Sequence, residues 1–415
     1  MKNLIILGGG AAGILLAMKL APKKQKMNIN ITLIDCKSFF EYTPSLISVL
    51  YESTDEQFEK HYNNITMDYK TFLEPLGIHF ICGILHDIDK ENVICTGSSY
   101  SNPWKIPPSC QQNNNTQWKK IDRFNFLRDQ REKYKTANKI LCIGAGAVGT
   151  ELVTEIAYRS PEKEIILVNA SNNILSGTPQ ALIQSGERIL NQIPSIQLIS
   201  GEHIEYIHQD HLYKTTQSHT EIKHVDLVYS CIGIQPNTQF LQKSHSDWLD
   251  DKNYIRVNEF FQVVKEEEKL IFAIGDVNNI KEPKLWFTAH IQTIHLFHQL
   301  ERLLFSSHHD INYHPYQGAT LSMIISLGPS YGIGSLNDGI TIFNGWPFNK
   351  NKGSKLAAII KHIVERITMN DFHSKKIMND VLYNTHEKSH WIPKFIDKLT
   401  HSSPSLTSSS TFSSS

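Results

Sequence analysis

Two short turns hold the residues whose types and spacing could do chemistry: Gly8-Gly-Gly-Ala-Ala-Gly13 and Gly144-Ala-Gly-Ala-Val-Gly149. Both read G-x-G-x-x-G, the spacing that grips a dinucleotide pyrophosphate. The first glycine permits a tight turn, the second lets backbone N–H groups approach the phosphates, and the third lets the next helix pack on the strand. The N-terminus of that helix then faces the phosphate charge. Asp35 and Asn169 close the following strands, about 20 residues on, where an acid accepts from the adenosine ribose hydroxyls. Asn169 can bond a ribose hydroxyl without repelling a 2′-phosphate, yet residues 170–180 offer no Arg or Lys to clamp one, so the balance favours NADH. A glycine-rich turn without ligand is the plainer reading; the flanking strands, helices and strand-end residues speak against it.

The elements that must position these turns are legible around them. Residues 3–7 read as a buried strand, 14–20 as a helix and 31–34 as a second strand. The order returns as strand 139–143, helix 150–159 and strand 165–168. Such a repeat implies two nucleotide-binding units of doubly wound α/β type. Residues 98–120, rich in Ser, Pro, Asn and Gln, read as a loop or linker. Apolar strands follow at 227–232 and 270–274, and a helix at 286–304. The expected architecture is two Rossmann-like three-layer domains, the first discontinuous, plus a small C-terminal domain. The boundaries are 1–118 and 236–314 for the first, 119–235 for the second and 315–400 for the third. Residues 401–415 form a Ser/Thr-rich tail unable to bury a core.

The bulk composition sets outer limits. A chain of 415 residues is too long for one ordinary core. Lys plus Arg equals Asp plus Glu, 41 each, so no charge excess calls for a nucleic acid partner. The 20 histidines show no ligand spacing, and no metal is expected. None of the six cysteines pairs as C-x-x-C or C-x-x-x-x-C, which points to free thiols in a reducing compartment. No stretch reaches the roughly 18 apolar residues of a membrane span, and Lys2 stands where N-myristoylation needs glycine.

Further motifs carry a resemblance. Leu270-Ile-Phe-Ala-Ile-Gly-Asp276 resembles the third fingerprint of the two-dinucleotide-fold flavoproteins, whose aspartate holds the FAD ribitol. Val93-Ile-Cys-Thr-Gly97 and Ser230-Cys-Ile-Gly233 resemble their short motifs after each unit. Gly149-Thr-Glu-Leu-Val-Thr-Glu-Ile156, Pro161–Ile165, Glu282-Pro-Lys284, Tyr316-Gln-Gly-Ala319, Ser326-Leu-Gly328 and Gly332-Ile-Gly334 resemble the apoptosis-inducing-factor-like, ferroptosis-suppressor branch, a neighbour of the type II NADH dehydrogenases. This resemblance spans roughly residues 3–370. It implies NAD(P)H-to-quinone reduction on FAD at a membrane surface. It implies FAD contacts at Gly8, Gly9, Gly10, Ala11, Ala12, Gly13, Asp35, Leu85, Thr96, Gly97, Gly275 and Asp276. The nicotinamide dinucleotide contacts are Gly144, Gly146, Gly149, Asn169 and Gly233. Glu151 would face the nicotinamide and flavin, Pro44 would run beside the isoalloxazine, and Lys284 and Trp286 would line its far side. The plainer readings are a helix-start acid favoured by the macrodipole, a helix-start proline, a surface lysine and a core tryptophan.

Disulfide reductases of this fold carry a C-x-x-x-x-C after the first unit, and residues 38–52 contain no cysteine. Electrons are therefore expected to leave directly for a quinone, a dye or oxygen. A ferredoxin-type reductase and a redox-sensing or death-signalling flavoprotein are the alternatives. Leu356, Ile359, Ile360, Ile363 and Ile367 repeat at helical spacing, either to lie on a membrane and deliver quinone or to face a core. A cytoplasmic chain fits, free or peripheral on a lipid droplet, plasma or mitochondrial outer membrane; a homodimer stays open. One departure from the resemblance stands out: a β-hairpin expected before Val93 is missing.

Overall fold

The computed structural model describes residues 2–88, 92–101, 103–105, 118–207, 212–264, 270–305, 314–319, 321–335 and 353–374. The expected tail and most of the expected linker lie outside these residues. Strand β1 (Lys2–Leu7) runs into helix α1 (Ala11–Leu20), and strand β2 (Ile29–Asp35) starts just after Asn28, whose φ of 53° turns the chain. Helix α1 is built of Ala, Leu, Ile and Met, most of them good helix formers. Apart from Lys19 it is apolar all round, as suits a helix enclosed by protein, and it is buried from Ala12 to Leu20. Strands β3 (His79–Cys82) and β4 (Asn92–Ile94) follow.

The second unit comprises α2 (Lys120–Thr136), β5 (Lys139–Ile143), α3 (Ala147–Arg159), β6 (Glu164–Asn169), α4 (Gln180–Leu190), β7 (Ile196–Ser200) and β8 (Leu227–Ser230). The chain then returns with β9 (Phe272–Ala273) and α5 (Trp286–Phe305). It continues through the hairpin β10 (Met323–Ser326) and β11 (Gly332–Ser335) to α6 (Lys355–Ser374). Two parallel sheets result, ordered β9-β4-β1-β2-β3 and β7-β6-β5-β8. Because β9 pairs with β4, segments on either side of the second unit complete one sheet, as expected for a discontinuous first domain. One apolar cluster runs from Ile6, Ile14 and Leu33 through Ile140, Leu152 and Leu167 to Met369 and Phe372. A second, with Leu7, Ile94, Trp248, Ile255 and Val277, lies within the first unit.

The polar stretch after Gly97 is more than a connector. Ser98–Ser99 pair with Gln235–Pro236, and Trp104 is buried with its ring 5.7 Å from that of Tyr229. Arg123, itself buried, bonds Glu41 at 2.9 Å and donates to the Pro103 carbonyl at 2.9 Å. Composition concealed this, because one tryptophan and a distant arginine outweigh many small polar residues. Residues 83–88 form no strand.

Helix α6 turns Ala357, Ala358, Met369 and Phe372 inward, while Leu356, Ile359 and Ile363 are 45%, 52% and 47% exposed. Much of the apolar stripe noted in the sequence thus faces outward, and alanines with C-terminal residues provide the packed face. The helix is also pinned through Glu365. His61 lies 2.8 Å from Glu52 and 3.3 Å from Glu365, and the Ser45 hydroxyl donates to the other Glu365 oxygen. Burial disfavours the imidazolium, but its bonds to Glu365 and Glu52 outweigh this and raise His61 to about 9. Stability from such a group is complete below about pH 6.5 and is lost as pH climbs through about 9. We expect His61→Gln to cost about 1–3 kcal/mol at pH 6 and almost nothing at pH 10. Urea denaturation at both pH values checks this; an equal cost at each would exclude a charged pair.

Candidate functional site

Both glycine turns are built alike. Gly8 and Gly144 have φ of 105° and 101°, a region that L side chains avoid. A Cβ on Gly13 would stand 1.8 Å from the Gly8 carbonyl oxygen, and one on Gly149 would stand 1.9 Å from that of Gly144. The outer glycines are thus required by the fold itself. Gly10 and Gly146 differ: nothing lies within 4 Å of the place a Cβ would take. Each middle glycine caps a helix and opens on free space, so the backbone fits a diphosphate there. A Cβ on Gly9 would meet the Tyr69 hydroxyl at 2.4 Å, and that hydroxyl donates to the Gly9 carbonyl at 2.6 Å. No spacing rule points to Tyr69, which comes from a separate helix 60 residues away.

The strand-end residues share a role. Asp35 accepts from the Gly9 N–H at 2.6 Å and the Lys37 N–H at 2.8 Å. Asn169 Oδ1 accepts from the Ala145 N–H at 3.1 Å, but its Nδ2 is spent on the carbonyls of Ser171 and Asn173 at 2.7 and 2.9 Å. An incoming ribose hydroxyl therefore meets only an acceptor at Asn169, as it would at an acid. Cys36, beside Asp35, has its thiol pushed up to about 12 by burial and by that carboxylate.

The remaining fingerprints converge on the first cradle. Ala12 is buried and Ala11 partly so, with a Cβ on Gly275 placed 3.4 Å from that of Ala12. The Gly275 N–H donates to Gln292 at 2.7 Å, and Asp276 accepts from the Ser98 hydroxyl at 2.6 Å. Thr96 donates to the Asn237 carbonyl at 2.9 Å, and the Asn237 N–H donates to Gly97 at 3.0 Å. Leu85 is partly buried and packs against the second cluster. Gly233, with φ 57°, follows Ile232, which is 62% exposed.

Glu151 lies one turn into α3 and is almost wholly buried. Its Oε1 accepts from the Ser326 N–H at 2.8 Å and from Lys361 Nζ at 2.5 Å. Both partners come from the C-terminal segment and escaped sequence reasoning. Pro44 opens a single turn at Thr43–Ser45, next to Tyr42, whose ring lies 4.7 Å from that of Trp286. Burial, then Glu365 and Glu151, raise the Tyr42 hydroxyl above its ordinary value. The buried Trp286 Nε1 has no hydrogen-bond partner among the described residues. Lys284 Nζ instead donates to Asn278 and to the Ile280 carbonyl, over the Tyr254 ring, and burial lowers its pKa. Glu282 accepts from Tyr316 and from the Ala319 N–H, so two of the recognised motifs lock together.

Comparison with known proteins settles what two such cradles in one chain amount to. The family described as pyridine nucleotide-disulphide oxidoreductase matches residues 2–293. The chain belongs to that family. It is 23% identical over 366 residues to ferroptosis suppressor protein 1 of Mus musculus, covering 81% of this chain and 88% of that one. The fold also matches the sulfide:quinone oxidoreductase of Aquifex aeolicus (TM-score 0.69, 15% identity, 97% of this chain and 96% of that one). It further matches NDH2 of Plasmodium falciparum in complex with NADH (TM-score 0.65, 13% identity, 91% and 98%). At such identities these two matches speak for the fold alone. As an oxidoreductase of this family the chain takes FAD and a nicotinamide dinucleotide, and the open middle glycines fit both.

The family's name mentions disulphide chemistry; the described cysteines are free, as read from the sequence, and one contact between them was hidden from it. Cys142 and Cys231, unpaired by spacing, bring their sulfurs within 3.8 Å because β5 and β8 are neighbours. Their hydrogen bond and burial hold the Cys142 thiol well above its ordinary range, so it is a poor nucleophile. The pair belongs to the second unit's sheet; at the end of β2 the Cys82 thiol lies 3.7 Å from the Cys36 carbonyl oxygen, and residues 38–52 contain no cysteine.

The cradles make separate forecasts. Gly10→Val should leave the apoprotein folded but colourless, whereas Gly146→Val should stay yellow and lose NADH-dependent bleaching. Gly13→Ala should destabilise the fold by about 1–3 kcal/mol or more. Absorbance spectra and thermal melting check all three; a Gly10→Val protein that keeps its flavin would remove the first cradle from the site.

Proposed function

We propose that this oxidoreductase passes electrons from NAD(P)H through FAD to a quinone-type acceptor. In this reading residues 1–118 and 236–314 hold FAD and residues 119–235 hold the nicotinamide dinucleotide. The observation that carries it is the pair of open cradles, each at a helix N-terminus, with Glu151 buried at the start of the second helix. The two cofactors supply hydride chemistry when bound, and the protein supplies alignment and shielding. Glu151 orients the dihydronicotinamide, with its carboxylate fixed by Lys361 and the Ser326 N–H. Tyr42, Trp286 and Phe40 form an aromatic wall beside Pro44. A quinone acceptor fits the absence of any cysteine from residues 38–52, where disulfide reductases of this fold carry their thiol pair.

No helix among the described residues is long and apolar enough to cross a membrane. A peripheral contact through α6 fits better, since Leu356, Ile359 and Ile363 project outward beside the exposed Lys355, His362 and Arg366.

Anaerobic titration tests the reading. The purified yellow protein should bleach with NADH, more readily than with NADPH, and recolour when a short-chain quinone is added. Colour that persists with both nicotinamides would end the reductase proposal. Glu151→Gln should slow bleaching about tenfold to a hundredfold with the flavin retained. Ile359→Asp with Ile363→Asp should cut co-sedimentation with mixed neutral and anionic phospholipid vesicles by about an order of magnitude; unchanged sedimentation would remove the membrane contact.

A further inference from the structure

Beside the segment that carries Pro44 lies a row of carboxylate, imidazole and hydroxyl groups that joins solvent to the interior. Glu52 and His61 reach solvent, their side chains 20% and 15% exposed. His61, on the helix Asp55–Asn64, places Nδ1 2.8 Å from Glu52 and Nε2 3.3 Å from Glu365 of α6. The second oxygen of Glu365 accepts from the Ser45 hydroxyl, and Ser45 is buried directly after Pro44. The outer end is held in place, since Glu52 meets Arg159 at 3.7 Å and the Arg159 Nε donates to Glu155 at 2.6 Å. The inner end adjoins Tyr42, whose hydroxyl is raised first by burial and then by Glu365, and whose ring packs on Trp286. Elements distant in sequence supply the row, and each step along it is a hydrogen bond between groups that can carry a proton.

Quinone reduction, the reading on which this assignment rests, takes two electrons and two protons. A hydride from NAD(P)H carries both electrons and one proton, so the other proton comes from water: NAD(P)H + H+ + quinone gives NAD(P)+ + quinol. We propose that His61, Glu365 and Ser45 form a relay that carries this proton from solvent to an acceptor lodged beside Pro44, with Glu52 positioning His61. The imidazolium passes its Nε2 proton to Glu365, which passes it through the Ser45 hydroxyl to an acceptor oxygen. Water then recharges the imidazole. The surrounding charges keep the donor loaded. Burial disfavours the imidazolium, but its bonds to Glu365 and Glu52 raise it to about 9. Burial also opposes the charge on Glu365, yet His61 and Ser45, with His362 adding to them, hold it below its ordinary range. Glu52 is lowered by its bond to His61, against burial and with help from Arg159 and Arg131. Glu155 faces the row across Arg159, Asp55 across Arg131, and Glu151 with Lys361 behind Tyr42.

The test follows NADH turnover of the full-length holoprotein with two acceptors. Ferricyanide takes an electron and no proton, whereas a short-chain quinone takes protons with its electrons. In His61→Ala the ratio of quinone to ferricyanide turnover should fall about ten- to a hundredfold, and added imidazole should restore much of it. Glu365→Gln should lower the ratio as well, without rescue by imidazole. In the unmodified chain the ratio should hold below about pH 9 and fall as pH rises through it, and His61→Ala should lose that inflection. Thermal melting controls for folding, and the pH series on the unmodified chain holds even if a variant misfolds. Equal losses with both acceptors, a quinone loss that imidazole leaves in place in His61→Ala, or a flat pH series in the unmodified chain would each overturn the relay. Quinone turnover indifferent to His61 would strike the relay alone, whereas an unmodified chain that reduces ferricyanide but no quinone would overturn the acceptor reading and the relay with it.

Discussion

The contact that the rest depends on is between backbone atoms. In each unit the third glycine of the turn lies against the carbonyl of the first, so closely that a single carbon would overlap it. Only this approach lets a helix begin directly above the end of its own strand. The helix N-terminus, with its unsatisfied N–H groups and partial positive charge, then faces the space beyond the middle glycine. Asp35, Thr96-Gly97 and Gly275-Asp276 are arranged about that point in the first unit. Asn169 and Gly233 hold corresponding places in the second.

The junction between the units is polar and largely buried: Arg123 on α2 reaches Glu41 and the carbonyl of Pro103. A buried ion pair adds little net stability, because desolvation offsets much of its attraction; what it resists is displacement of either partner. Here it fixes the start of the second unit against a segment of the first. Hydride transfer tolerates little misplacement of its two reactants, so such a junction suits cofactors bound by different units.

The C-terminal segment completes a surface that the second unit leaves open. The Ser326 N–H and Lys361 hold Glu151, the Gly328 N–H bonds Thr154 one turn further along α3, and Glu365 ties α6 to His61. The acid at the start of α3 is therefore held by residues more than 170 positions away. Its charge, orientation and shielding are properties of three separated segments acting together.

Local chemistry was enough to read the cradles. Glycine spacing, flanking apolar runs and the strand-end Asp35 and Asn169 are short-range signals, since each depends on backbone geometry within one strand–turn–helix. The same signals carried the family resemblance and the discontinuous first sheet. Tertiary structure alone decided which distant side chains meet. Tyr69 seals Gly9, Lys361 neutralises Glu151, Lys105 stands by Asp276, and the sulfurs of Cys142 and Cys231 come together across neighbouring strands. It also decided that the apolar stripe of α6 faces outward, because periodicity marks an apolar face without saying what covers it. The physical reason is the same throughout: a turn is set by the φ and ψ of a few residues, whereas a long-range contact is set by the packing of whole elements.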